Sequence, residues 1–229
     1  MQLSEFEVAE DMLIGGLKIV QDKRLYRFTS DSVLLSRFAR VKKGENVADF
    51  CSGCGVVAFH LHALHPDLGL SFDLFEMQES LCALAKKTME LNSFTNFTVH
   101  EGRVQDIGTE YAGKFSLVLC NPPYERGGLE SECYEKAVCR KELTLSLSEL
   151  SRSVSRALKY GGRFCMVHRA DRLAEICYTL KQVDLEVKKS QFVSGKLGDK
   201  PYLVLIEAVK GGKPAVEILP ELINERREV

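Results

Sequence analysis

Phe115-Ser116-Leu117-Val118-Leu119-Cys120-Asn121-Pro122-Pro123-Tyr124 sets the most continuous apolar run of the chain directly against a polar, proline-rich stop. Six uncharged, mostly large apolar residues predict a central strand covered on both faces, because a one-sided strand would alternate with polar residues. The run ends at Asn121 because proline has no N–H to give a sheet ladder. On either side the same grammar repeats: short apolar runs alternate with segments of helical period, which predicts strand-helix units around a mostly parallel sheet.

Working back toward the N-terminus, residues 97–100 predict a third strand and 70–75 a second, which ends on Glu76. Between them Leu81, Leu84, Ala85, Thr88 and Leu91 recur at three and four residues, giving an amphipathic helix with Lys86 and Lys87 on its outer face. Residues 47–50 predict the first strand, followed by the small-residue stretch Cys51-Ser52-Gly53-Cys54-Gly55 and a helix over 56–64. Working forward, the pattern predicts a helix over 146–159 closed by Gly161-Gly162, a strand over 163–167 and a helix over 171–181. Strands over 185–192 and 202–209, joined by the turn region 195–201, are expected to form an antiparallel hairpin.

Ligands of open α/β sheets bind beyond the carboxyl ends of the strands, so the residues after each strand are where chemistry is expected. Two glycines in the first strand-to-helix turn, Gly53 and Gly55, would let a ligand approach the backbone and the helix N-terminal amides. Glu76 offers a carboxylate that can accept both hydroxyls of a ribose, and Asp106, after the third strand, one that can accept from an adenine amino group. The turn lacks the third glycine of a dinucleotide fingerprint, since Ala58 or Phe59 stands there, which favours an adenosine-containing ligand without a pyrophosphate. Each feature has an ordinary reading, as a turn glycine or a solvated carboxylate. Their order along the chain is what points to a nucleotide site.

Asn121 and Pro122 are suited to a planar amine. The lone pair of such a nitrogen is delocalised into its ring, so a catalyst must hold both amine hydrogens and favour a pyramidal nitrogen. The Asn121 side-chain oxygen and the Pro122 carbonyl can accept those two hydrogens, Pro123 stiffens the loop, and Tyr124 can stack on the substrate plane. The alternative is a strand-terminating turn, for which Asn-Pro and Pro-Pro are common punctuation.

With these elements the sequence resembles the amino-directed class I methyltransferases. More narrowly, it is similar to the bacterial tRNA (adenine-N6)-methyltransferases that modify adenosine 37 of a valine tRNA. The resemblance spans nearly the whole chain. Besides the turn, Glu76, Asp106 and the 121–124 loop, it includes Tyr26-Arg27-Phe28-Thr29-Ser30-Asp31-Ser32-Val33-Leu34-Leu35, Cys139-Arg140-Lys141-Glu142-Leu143-Thr144, and the tail around residues 201–204 and 207–212. It implies a Rossmann-like, mostly parallel seven-stranded sheet with helices on both faces and a C-terminal antiparallel hairpin. The core would span 46–210, with a cofactor-closing extension over 1–45 and a tail over 211–229.

The implied cofactor is S-adenosylmethionine, held by Tyr26, Thr29, Asp31, Asp49, Cys51, Ser52, Gly53, Gly55, Glu76, Met77, Asp106 and Asn121. The implied catalytic loop is Asn121, Pro122, Pro123 and Tyr124, and the implied substrate is tRNA. The sequence departs from the wider class at Phe50, Cys51 and Cys54, where small or apolar residues are more usual; cysteine is small enough to be tolerated. Relatives with this loop also methylate DNA adenine, rRNA guanine N2 or a protein glutamine amide. A glutamine enzyme would be expected to carry a helical domain before the first strand, and a DNA enzyme a target-recognition domain. A non-catalytic RNA- or partner-binding module is the alternative from another class.

The remaining features are consistent with this reading. A net charge of -1 over 229 residues supplies no global field for nucleic acid, so RNA contact would need a local basic face. Arg126 and Arg140 are the first candidates because they lie near the loop in sequence. Eight scattered cysteines and no basic-then-apolar leader fit a soluble chain of the reducing cytoplasm. Cys51 and Cys54 have half-site spacing for zinc, with His60, His62 and His65 nearby. Zinc would need two more ligands and no second cysteine pair is present, so no metal is expected.

Overall fold

A computed structural model describes residues 3–25, 30–123 and 145–225. The chain opens with an antiparallel hairpin, β1 (Glu7–Asp11) and β2 (Lys18–Asp22), and a helix, α1 (Ser30–Phe38). The core follows as β3 (Asn46–Phe50), α2 (Val56–Leu64), β4 (Ser71–Glu76), α3 (Glu79–Leu91), β5 (Phe97–Glu101) and β6 (Phe115–Cys120). After the undescribed 124–144 come α4 (Leu147–Ala157), β7 (Leu158–Arg169), α5 (Leu173–Lys181), β8 (Leu185–Ser194) and β9 (Leu203–Lys210). Two short strands, β10 (Glu217–Ile218) and β11 (Leu222–Ile223), pair in parallel with β8.

The seven core strands lie in the order β8-β9-β7-β6-β3-β4-β5. All neighbours from β7 to β5 are parallel, while β9 runs antiparallel to both β7 and β8. Alternate side chains feed two apolar layers, as the two-residue period of a strand requires. Val47, Leu117 and Leu119 face α1, α2, α3 and the hairpin; Ala48, Phe50, Val118 and Cys120 face α4 and α5. The hairpin rests on α3, where the Val20 amide donates to Thr88 Oγ1 at 3.0 Å and Asn92 exchanges hydrogen bonds with the Lys18 backbone.

Two sequence expectations change here. The helix expected over 146–159 ends at Ala157, because Leu158 is extended and pairs with Phe115. Lys210 Nζ then donates to the Ser155 and Leu158 carbonyls, supplying partners that the helix end leaves open. Gly161 and Gly162 do not close a helix; they lie within β7, in a bulge where the register against β6 slips between Leu158 and Arg163.

Candidate functional site

Strand order reverses at β3, which has β4 on one side and β6 on the other, so the crevice at its carboxyl end is the switch point of the sheet. Register fixes what meets there. Phe50 is opposite both Phe75 and Cys120. Cys51, Glu76 and Asn121 therefore leave their strands on one level, about 5 Å from neighbour to neighbour.

The turn after β3 is built around left-handed backbone. Cys51 has φ +56, Gly53 +57 and Gly55 +85. Gly55 is required by packing, since a Cβ would lie 2.4 Å from Phe59 Cε2 and 2.7 Å from Leu74 Cδ2. A Cβ on Gly53 would meet nothing within 4 Å, so its backbone faces open space. Its amide donates to Glu76 Oε2 at 2.9 Å, while Glu76 Oε1 accepts from Gln78 N at 2.9 Å. Glu76 is buried, and burial pushes its carboxyl upward against the pull of these amides and that of Met77.

Asp49 lies one step below the turn, buried, with Oδ2 accepting the Ala58 amide of the first turn of α2 at 3.3 Å. Burial raises its carboxyl to about 8. Its Oδ1 and the buried Ser52 Oγ have no partner among the described residues. Two orphaned polar atoms, an open backbone at Gly53 and a buried carboxylate with lone pairs to spare suit a ligand carrying hydroxyls and a positive charge. A nucleoside with a cationic arm fits that donor and acceptor set.

Asn121 stands at the far side of the crevice, followed by the buried Pro122 and Pro123. Its Nδ2 donates to Ser32 Oγ of α1 at 3.1 Å, and among the described residues nothing takes Oδ1. Asp31 begins the same helix and is largely buried. Met77 follows Glu76 and is partly exposed. Asp106 lies in a 3-10 turn after β5, its carboxylate largely exposed and 3.9 Å from Arg103. Tyr26, Thr29, Tyr124, Arg126 and Arg140 lie outside the described residues.

Sequence reasoning missed Ser32 as a partner of Asn121, and also His168, buried near the carboxyl end of β7. No local pattern marks either: the Ser32 contact joins residues 89 apart, and His168 lies within an apolar strand run. The zinc alternative also loses its geometry. Cys51 packs toward α4 and α5 while Cys54 packs into the opposite layer. His60 Nδ1 shares a hydrogen bond with Ser36 Oγ at 2.8 Å, and His62 sits edge-on to Phe72, Phe94 and Phe97. Cys51 neighbours Cys120 instead, and burial followed by that thiol keeps Cys120 well above the ordinary thiol range.

This strand order, with its antiparallel last pair, is the Rossmann-like methyltransferase fold. Solved structures share it. A predicted O-methyltransferase from Agrobacterium tumefaciens superposes with a TM-score of 0.69 at 19% identity, over 87% of this chain and 89% of that one. TYW2 of P. horikoshii, solved in complex with MeSAdo, superposes with a TM-score of 0.62 at 12% identity, over 91% and 73%.

Residues 29–193 match the family model of the methyltransferase small domain, and the chain belongs to that family. The tRNA1(Val) (adenine(37)-N6)-methyltransferase of Escherichia coli is 25% identical over 150 residues, 65% of this chain and 61% of the relative. The chain thus spans under two thirds of the length of the curated relatives it matches. Among the described residues no helix is long and apolar enough to cross a membrane.

Proposed function

We propose that the protein transfers a methyl group from S-adenosylmethionine to the N6 amine of an adenine in tRNA, in the cytoplasm, with adenosine 37 of tRNA-Val as the position of choice. The observation that carries this reading is Asn121: its Nδ2 is engaged by Ser32, its Oδ1 remains to accept, and it shares a level with Glu76 and the glycine turn. The cofactor, when bound, supplies a methyl group activated on a sulfonium.

On this reading Glu76 holds the ribose hydroxyls, and the Cys51–Gly55 turn, Asp49 and Ser52 hold the remainder of the donor, with Tyr26, Thr29, Asp31, Met77 and Asp106 completing its contacts. Asn121 Oδ1 and the Pro122 carbonyl accept the two amine hydrogens, which draws the nitrogen toward a pyramidal shape and directs its lone pair. Pro123 keeps the loop stiff, and Tyr124 stacks on the base. Positioning and stabilisation of developing positive charge supply most of the rate, with no nucleophilic side chain. The target base is reached in an exposed loop or by flipping it from its stack. Arg126 and Arg140 serve the RNA backbone.

Mass spectrometry of nucleosides and of nuclease fragments from tRNA incubated with protein and labelled S-adenosylmethionine tests the assignment, the nucleosides giving the base and the fragments its position. N6-methyladenosine at position 37 is expected, and it is expected to vanish with Asn121→Ala while donor affinity stays within a few-fold. Label on guanine or only in protein would replace adenine as the substrate. Near-normal turnover by Asn121→Ala would remove Asn121 from its role.

A further inference from the structure

The hydrogen bond from Asn121 Nδ2 to Ser32 Oγ joins residues 89 apart in sequence, and it meets the side chain that accepts from the amine in the proposed transfer. An asparagine amide has a donor end and an acceptor end, and only the acceptor end suits an amine whose hydrogens are both donors; methylation then replaces one of them, which leaves as a proton, while the sulfur–methyl bond breaks. With Nδ2 turned to Ser32, Oδ1 is the end that remains for the substrate. Backbone restraint from Pro122 and Pro123 fixes where Asn121 stands but not how its side chain is turned.

Ser32 is itself held. It is buried, and it shares a face of α1 with Leu35 and Ser36, three and four residues on. Leu35 is fully buried in the core layer, and Ser36 Oγ meets His60 Nδ1 of α2 at 2.8 Å. Burial of Leu35 seats α1 on the core layer with Ser32 at the end of β6, and the Ser36 contact adds to the stability of that docking. We infer that Ser32 is a positioning residue for methyl transfer, orienting the Asn121 side chain so that Oδ1 faces the amine. This rests on the adenine-amine reading above, and its test separates the two.

Ser32→Ala is expected to lower kcat about tenfold, with KM for tRNA and donor affinity within twofold of wild type. Ser32→Thr, which keeps a hydroxyl, is expected to recover most of that loss. Ser36→Ala is the control for helix docking, with reduced thermal stability and kcat near wild type. Independently of activity, the side-chain amide resonance of Asn121 in a proton-nitrogen spectrum is expected to shift in Ser32→Ala and hold its place in Ser36→Ala.

An unchanged kcat in Ser32→Ala would overturn the inference. So would equal losses in Ser32→Ala and Ser32→Thr that track falling thermal stability, since that pattern marks a structural role only. An unmoved Asn121 resonance would overturn it too. If wild-type protein methylates no adenine, the adenine reading fails, and the resonance still decides whether Ser32 holds Asn121.

Discussion

Glu76 Oε2 accepts the amide of Gly53 at 2.9 Å, so the carboxylate at the end of β4 holds the turn that follows β3. One side chain thus shapes the loop and presents its remaining lone pairs to the crevice. Glu76→Ala would strip a buried acceptor from the Gly53 and Gln78 amides, and an unpaired buried donor costs about 1–3 kcal/mol. Donor affinity measured by calorimetry is expected to fall at least tenfold, together with a lower melting temperature. Wild-type affinity in that variant would take Glu76 out of the site.

The two turn glycines are expected to fail in different ways. Gly55→Ala drives a Cβ into Phe59 and Leu74 at a left-handed backbone, and should cost about 3 kcal/mol or more of stability in denaturant titrations. Gly53→Ala meets only open space, so its cost to folding should be about 1 kcal/mol, while donor binding weakens because the new methyl occupies the approach. Equal stability losses in the two variants would contradict the packing seen around Gly55.

How much of this was legible follows from what each residue contacts. The α2 helix over 56–64 and the β6 strand over 115–120 were readable to the residue, because apolar period and punctuation agree there. The β1–β2 hairpin was not, since Glu7-Val8-Ala9-Glu10-Asp11 carries little apolar alternation and is stabilised by α3, far along the chain. Leu158 continues the helical period of α4, yet pairing with Phe115 draws it into β7. In the candidate site, Glu76 closes β4 and Asn121 directly follows β6, so strand ends point to both, whereas the contact from Asn121 to Ser32 is one no spacing encodes.

His168 gives the fold an acid-sensitive element. Burial, reinforced by the nearby Arg172 cation, depresses its imidazole from 6.5 to about 4. The fold therefore favours the neutral ring. Its contribution is fully present above pH 6.5 and is lost as pH falls toward 4, a difference on the order of 3 kcal/mol. Denaturant midpoints taken from pH 7.5 to 4.5 are expected to fall across that window, and His168→Gln should flatten the dependence. An equally steep profile in the variant would assign the acid response to other groups.

Because β8 runs parallel to β7, the loop after it emerges at the same end of the sheet as the crevice. Lys196 and Lys200 stand exposed on that loop, whereas Arg156 donates to the Ile107 carbonyl, and Lys188 and Lys189 engage the Lys213 carbonyl and Glu207. A double change of Lys196 and Lys200 to Glu is expected to weaken tRNA binding several-fold and to reduce the dependence of affinity on salt, with donor binding untouched. Unchanged salt dependence would place the RNA elsewhere.

Asn224 Nδ2 reaches Ser30 Oγ at 3.2 Å and Tyr202 Oη at 2.9 Å, so the segment bearing β11 grips the start of α1 across 194 residues of chain. Synthesis makes α1 early and its clasp late. On a ribosome, the helix that carries Ser32 emerges long before residue 224 is available to reach its first turn.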